Sequence, residues 1–477
     1  MTATRLWQLS AAELLAGYGR RDFSPVEVAK EVFGRIERLN PSLHAYLALN
    51  TEDALAAARK AEKAWLSPGE KPALCGVPVS VKDTIEMAGL PTTYGSLAFK
   101  DNRQGDSEIV RRLRQAGAVI LGKTNTPEFA LGARVSNRLG PPGANPWNLD
   151  HTCGGSSGGA GAAVAAGLGP IAIGTDSAGS VRTPAAFNGI FGLKPTFQRL
   201  PSVQTWRASP GRSHNGPLTR TVRDTALLMS AIAGAHPGDP DSNIAAPDYM
   251  SFATGRVSGL RVAISYDFGQ SVLSPSALVQ GAVEGAAALL REFGCETVAA
   301  DPPVLEGSDQ MEPGVWAYSG DHYGAAESMV PGFLEKHRDD LTDYARPIYE
   351  AGPRALAWHY RKILRRNRGY NERMRQWFKD YDFILMPVAG PAPTIAGSEK
   401  QAAGARDPKA SSFGFLAPFN HTYNPAAAVP FGFDSTGLPI AIQVIGRHGD
   451  DLGVLRLCAM IEAARPWADR WPPHVEE

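Results

Sequence analysis

Cysteine is scarce in this chain, and long apolar runs are missing. The 477 residues hold only four cysteines, Cys75, Cys153, Cys295 and Cys458, none in a C-x-x-C pair. That excludes a disulfide scaffold and fits reduced, mostly buried thiols in a cytoplasmic protein. No stretch of about 18 apolar residues occurs, so no transmembrane helix is expected. The segment Met1–Ser10 has no apolar core of signal-peptide length. Neither sign of charge is in excess, since 48 Lys and Arg balance 48 Asp and Glu. Nucleic acid and anionic membranes are therefore not expected as partners, and the substrate is expected to be a small molecule read by local contacts. H-E-x-x-H is absent and no cysteine or histidine spacing suggests a metal site, so neither metal nor organic cofactor is expected. No solenoid-type repeat is present.

The length allows one large domain or two to three ordinary ones. Ser10-Ala-Ala-Glu13 and Ser24-Pro25-Val26-Glu27 are capping boxes, the second with proline at the first helical position. The second helix is expected to end at Asn40-Pro41, and a third to cover Glu52 to Trp65. Gly76 to Lys82 then reads as a strand, Asp106 or Ser107 as the cap of a helix running to about Gln115, and Ala118 to Leu121 as a buried strand. That is a βαβ unit, which implies parallel pairing. Further strands are expected at 170–174, 190–193, 260–265, 383–386 and 440–445, with helices at 158–166, 222–234 and 276–293. The aromatic stretch 300–380 reads as a lid over the α/β body rather than as a separate domain.

Two serine-bearing loops carry the chemistry, Gly154-Gly-Ser156-Ser157-Gly-Gly159 and Gly174-Thr-Asp176-Ser177-Ala178-Gly179-Ser180. Upstream, Val79-Ser-Val-Lys82 ends an apolar strand in a lysine. A serine hydroxyl needs a base to act as a nucleophile. A lysine serves as that base only when neutral, and burial lowers its pKa by disfavouring the charged form. Ser180 follows a short strand and precedes a potential helix, so small residues there let backbone N–H groups converge on an oxyanion. Read singly, each piece has a plainer reading: a glycine-rich turn with an N-cap serine, a flexible loop, a solvated lysine.

Three other patterns compete. Gly117-Ala-Val-Ile-Leu-Gly-Lys123-Thr124 fits the P-loop letter for letter, but its middle residues form a buried-strand run instead of a phosphate-wrapping loop. Gly154-Gly-Ser156-Ser-Gly158 fits the G-x-S-x-G elbow, but Asn145 to Thr152 ahead of it is turn and loop chemistry. None of His214, His421 and His448 stands in a context that suggests a Ser-His-Asp triad. Arg361 to Arg368 reads as a helix with a solvated basic face, Ile363 and Leu364 being turned inward.

Taken in order, the segments Gly76–Asp83, Gly122–Ala130, Asn145–Asn148, Gly154–Gly159, Gly174–Arg182, Gly192–Thr196, Gly216–Thr219 and Gly437–Gly446 resemble the amidase signature family. The likeness spans most of residues 1–235 and about 381–470. It implies one α/β domain over 1–477, built on a central twisted, mixed and largely parallel sheet covered by helices on both faces. Within it, N-terminal helices would occupy about 1–70, the catalytic core about 71–235 and the lid about 300–380. The resemblance further implies a triad of Ser180 as nucleophile, Ser156 as bridging serine after a cis peptide, and Lys82 as general base. It places the oxyanion donors on the backbone N–H groups of Ser177, Ala178, Gly179 and Ser180. Ala178 stands where glycine is commoner in the family, so a positive φ there would strain it.

Ser157, Asp176 and Arg182 are candidates for bracing the site, Arg182 alternatively for binding an acidic substrate group. Phe129, Trp206, Trp316, Tyr318 and Phe415 are candidates for a substrate pocket, with plain core packing as the other reading of each. The expected activity is hydrolysis of small carboxylic amides by a monomer or homodimer, with aryl amides, carbamates and esters also open to the triad. The alternative is a glutaminase-type subunit that supplies ammonia to a partner in an amidotransferase.

Overall fold

The computed structural model describes residues 5–203, 211–253, 255, 257–270, 273, 275–305, 311–389 and 413–475, with backbone only at 311–317, 359 and 413. Three helices lead: α1 (Ala11–Arg20), α2 (Pro25–Leu43) and α3 (Thr51–Leu66). Both capping boxes form, each serine oxygen accepting the N3 amide while the N3 glutamate accepts the cap amide. Helix α2 runs past Asn40-Pro41 to Leu43. A proline this close to a helix end forfeits a single amide bond, and the helix stops at His44, which takes the left-handed conformation.

The strands are β1 (Tyr46–Leu49), β2 (Pro78–Lys82), β3 (Val119–Thr124), β4 (Ala144–Asn145), β5 (Asn148–Thr152), β6 (Ile171–Asp176), β7 (Phe191–Lys194), β8 (His214–Thr219), β9 (Arg261–Ile264), β10 (Glu296–Ala299), β11 (Phe383–Pro387), β12 (Ala426–Phe433) and β13 (Pro439–Gly446). All but β4 and β5 join one sheet in the order β1-β3-β2-β6-β8-β7-β12-β13-β11-β9-β10. Parallel pairing links β3-β2-β6 and β11-β9-β10. The junctions between those two runs are antiparallel. The sheet is thus mixed, with its parallel character at the flanks.

Strand alternation sends successive side chains to opposite faces. Ile171, Ile173, Phe383, Leu385, Ala427, Val429, Ile442 and Val444 meet one hydrophobic cluster, with residues of α4 (Glu108–Gln115), the helix Val222–Ile232, the helix Ala277–Glu292 and the helix Asp451–Ala464. Ala172, Ile384, Met386, Ala426, Ala428, Ala441 and Ile445 meet the other, with residues of α5 (Gly158–Ala165) and α6 (Arg182–Asn188). Helices therefore cover both faces, as the family likeness implies. The Val222–Ile232 helix is α7, Ala277–Glu292 is α8, and α9 (Met311–Met329) follows. Residues of α9 and the segment to Tyr349 form a separate aromatic cluster with Tyr94, Phe99 and Phe129.

Two local expectations change. Leu364, on the helix Ala357–Trp377, is 45% exposed, and the buried side of that helix carries Tyr370 and Met374 instead. Asn148–Thr152 forms a strand, but it pairs only with β4 in a two-stranded ribbon outside the main sheet. No strand of that sheet feeds directly into Ser156, which keeps the elbow geometry out.

Candidate active site

Lys82 is the last residue of β2 and is completely buried. Its Nζ lies 2.6 Å from Ser156 Oγ and 2.8 Å from Thr175 Oγ1. Burial lowers its pKa from 10.5 to about 7, partly opposed by the negative charge of Asp176. A neutral amine has two N–H donors and one lone pair. Donation to Thr175 leaves the lone pair free to accept from Ser156. Thr175, which nothing in the sequence motifs singles out, is therefore part of the site. Its position beside Asp176 at the end of β6, opposite a strand ending in lysine, was the available signal.

The Gly155–Ser156 peptide is cis. Gly155 packs against the backbone of residues 132–134, where a Cβ would come within 2.6 Å of the Arg134 nitrogen. Ser157, at the head of α5, clamps the neighbouring strand. Its Oγ accepts the Thr175 N–H at 3.2 Å and donates to the Thr175 carbonyl at 3.1 Å. Its own N–H donates to the Ser180 carbonyl at 3.1 Å. Gly174 permits this approach, since a Cβ there would sit 2.6 Å from Ser157 Oγ.

Ser180 closes the second loop. The structure brings Lys82 and Ser156 into a hydrogen bond and ties the Ser180 backbone to the same serine pair. The hydroxyls of Ser156 and Ser180 are not hydrogen-bonded to each other. Exposure increases along the set, from 0% at Lys82 and 1% at Ser156 to 7% at Ser180. The amine sits at the bottom and Ser180 at the mouth.

Asp176 organises the loop between them. Its Oδ1 accepts from Gly179 N at 2.7 Å and its Oδ2 from Val181 N at 3.1 Å. Arg182 pairs with it through Nε at 3.0 Å and NH2 at 2.9 Å. Burial pushes the Asp176 carboxyl up, but Arg182 and Asn420 outweigh that and hold it well below the usual carboxylate range. Arg182 is fully buried and also donates to the Leu416 carbonyl, Gln443 Oε1 and Asn420 Oδ1. Its guanidinium is spent on the protein, so it has none left for an acidic substrate. Asn420 and Gln443 were not singled out from sequence. Gln443, a polar residue within the apolar run Ile440–Ile445, carried a readable signal.

One expected oxyanion donor changes. The Gly179 N–H is committed to Asp176. The N–H groups of Ser177, Ala178 and Ser180 make no hydrogen bond among the described residues. Ala178 has no positive φ; that conformation falls on Gly179, at φ 115°. Alanine at 178 is thus unstrained.

The pocket candidates divide. Phe129 is fully buried against Phe99, Phe333 and Tyr349, with ring centroids 4.9–6.1 Å away. Phe415 is fully buried in the sheet-side cluster. Both are core residues with no surface to offer a ligand. Tyr318 keeps partial exposure under the Arg212 guanidinium, 5.3 Å from its ring, and beside His322. Trp206 and the Trp316 side chain lie outside the described residues.

The competing motifs do not assemble. Lys123 is buried in β3 and pairs with Asp83 at 3.1 Å, out of reach of any phosphate. His214 Nδ1 lies near the carbonyls of Asp176 and Arg212, and none of His214, His421 and His448 bonds a serine of either loop.

Residues 27–455 match the family model described as Amidase. The chain belongs to the amidase family, the amidase signature enzymes, and is an amide-hydrolysing enzyme. It is 36% identical to an acylamidase of Rhodococcus erythropolis, covering 99% of this chain and 98% of that one. It is 34% identical to a glutamyl-tRNA(Gln) amidotransferase subunit of Roseiflexus castenholzii, covering 99% of both. The solved structure of a bacterial aryl acylamidase superposes with a TM-score of 0.87 at 28% identity, covering 96% of this chain and 97% of that one. Among the described residues, no helix is long and apolar enough to cross a membrane.

Proposed function

We propose that this enzyme is an acylamidase that cleaves small carboxylic amides, aryl amides among them, through an acyl-enzyme on Ser180. Neutral Lys82 accepts the Ser156 proton as Ser156 takes that of Ser180. The hydrogen bond between the two hydroxyls is expected to form in the substrate complex, since such bonds commonly tighten only once substrate is bound. Ser180 attacks the carbonyl, and the N–H groups of Ser177, Ala178 and Ser180 receive the oxyanion, each good donor lowering the barrier by about 3 kcal/mol. The relay then protonates the departing amine and activates the water that releases the acid. Carbamates and esters pass through the same tetrahedral intermediate and are expected as slower or alternative substrates. Residues about 300–380 serve as a lid in this reading, which the packing of that region on Tyr94, Phe99 and Phe129 supports.

The observation that carries this reading is the buried Lys82 amine, pushed down to about 7 and 2.6 Å from Ser156 Oγ. The acylamidase likeness favours hydrolysis over ammonia supply to a partner, the second reading that the amidotransferase likeness keeps in view. The test is a panel of anilides, aliphatic amides, carbamates, esters and glutamine, run on the protein and on Ser180→Ala. Anilide turnover lost in Ser180→Ala supports the proposal. Full turnover by that variant overturns the nucleophile assignment, and glutamine as the one substrate cleaved overturns the acylamidase reading.

A further inference from the structure

The P-loop look-alike Gly117–Thr124 leaves a buried lysine that the proposed chemistry does not use. Lys123 and Lys82 sit on neighbouring parallel strands, Val81 pairing with Lys123 and Lys82 with Thr124. Lys123 and Asp83 are 0% and 1% exposed. The Lys123 ammonium meets three oxygens of the segment that follows Lys82: Asp83 Oδ1 at 3.1 Å, the Ile85 carbonyl at 2.7 Å and Thr92 Oγ1 at 2.7 Å. Asp83 is held at its other oxygen by Thr93 N at 3.1 Å and by the Thr93 hydroxyl. Its main chain is fixed too, its N–H donating to Thr124 O and its carbonyl accepting from Tyr94 N, both at 3.0 Å. One ammonium thus fastens both ends of the segment 83–92 to β3, immediately after the residue whose amine must reach Ser156.

We infer that the Lys123–Asp83 ion pair is a positioning staple for Lys82, fixing the strand end that aims its amine at Ser156. The inference rests on Lys82 acting as the base. A buried pair of this kind gives little net stability, because desolvation offsets the attraction, and apolar residues of similar volume often replace it without loss. Its place beside the base is explained by position. The titratable groups around it are Asp83, Lys123, Glu86 and Tyr94, and Lys82 itself also faces Asp176.

The test compares Lys123→Met, Asp83→Asn and the double variant Lys123→Met/Asp83→Leu, with Lys82→Met as control. Each is read by kcat, KM, the pH–rate profile and thermal midpoint on one amide that the parent cleaves. The double variant is expected to lose about tenfold to 100-fold in kcat and to keep its KM, since a small misplacement of a reacting group is that costly, and to melt somewhat below the parent, since the Ile85 carbonyl and Thr92 hydroxyl lose their Lys123 donor. Asp83→Asn removes the counter-charge of Lys123, which burial then drives to the neutral amine, and is expected to lower kcat while KM and the acid limb stay in place. Lys123→Met likewise drives the buried Asp83 to its neutral acid and is expected to lower kcat while KM and the limb stay in place. Full kcat in the double variant overturns the staple, as do single variants with full kcat. Turnover surviving in Lys82→Met refutes the base assignment instead, which separates the two failures.

Discussion

Lys82→Met should kill the enzyme and stabilise it at the same time. Burial takes the lysine pKa from 10.5 to about 7, so holding a proton there costs about 5 kcal/mol at 1.36 kcal/mol per unit. The unfolded chain keeps that proton up to about pH 10.5, whereas the folded protein sheds it near 7. Between those values the unfolded state binds more protons, so stability climbs with pH through that window, and the full penalty stands below it. Methionine fills similar space without the charge. It also leaves Ser156 and Thr175 without their partner, at about 1–2 kcal/mol each. The net gain below pH 7 is then about 2 kcal/mol. For 477 residues at about 2 cal/mol/K each, the unfolding entropy is near 1 kcal/mol/K, so the midpoint should rise by about 2 °C. Scanning calorimetry of both proteins from pH 6 to 10 should show the gap close and then reverse as pH rises. Turnover should fall at least about 10⁴-fold, as expected when a member of a catalytic unit is removed. Parent activity should rise along an acid limb centred near pH 7. A variant less stable than the parent at pH 6, or a parent profile flat from pH 5 to 9, would refute a lysine held neutral by burial.

Two further substitutions probe the loop that presents Ser180. Gly179→Ala places a Cβ 2.4 Å from Leu416 Cδ1 at a residue with φ 115°. It should lower stability by about 1–3 kcal/mol and kcat by more than tenfold, measured by denaturation and initial rates. A fully active, equally stable variant would contradict the loop geometry. Asp176→Asn strands the buried Arg182 charge and should cost about 3–5 kcal/mol in urea unfolding. A loss under 1 kcal/mol would show that Asp176 does not anchor the loop.

The lysine and the two serines were legible because Lys82 ends a valine-rich strand and the serines sit in loops of small residues beside a strand or a helix. The strands that assemble them were less so. β8 reads His-Asn-Gly-Pro-Leu-Thr, which is turn chemistry, yet all six residues are buried between β6 and β7. Pro217 sits opposite Ile173 in the register, inside the sheet, where a residue with no N–H is rarely found. β12 opens with three alanines, whose helix preference is overridden by pairing on both sides with β7 and β13. In both cases tertiary burial outweighs local propensity, and no window of sequence contains the neighbours that supply it.

The residues missed at the site share one property: each acts through a partner far along the chain. Asn420 and Gln443 meet Arg182 across more than 200 positions, and Lys123 serves a lysine on the next strand. Their polarity was visible, but their purpose depends on where the sheet puts them. Asp176, by contrast, was visible as a brace and works locally, binding Gly179 and Arg182, while its neighbour Thr175 bonds Lys82. A base that works only when neutral cannot be held by an ion pair of its own. It must be aimed by hydroxyls and by the rigidity of what surrounds it. That requirement accounts for the two buried pairs, Asp176–Arg182 and Asp83–Lys123, standing on either side of an amine that pairs with neither. The charges fix the scaffold so that the reacting groups can stay uncharged.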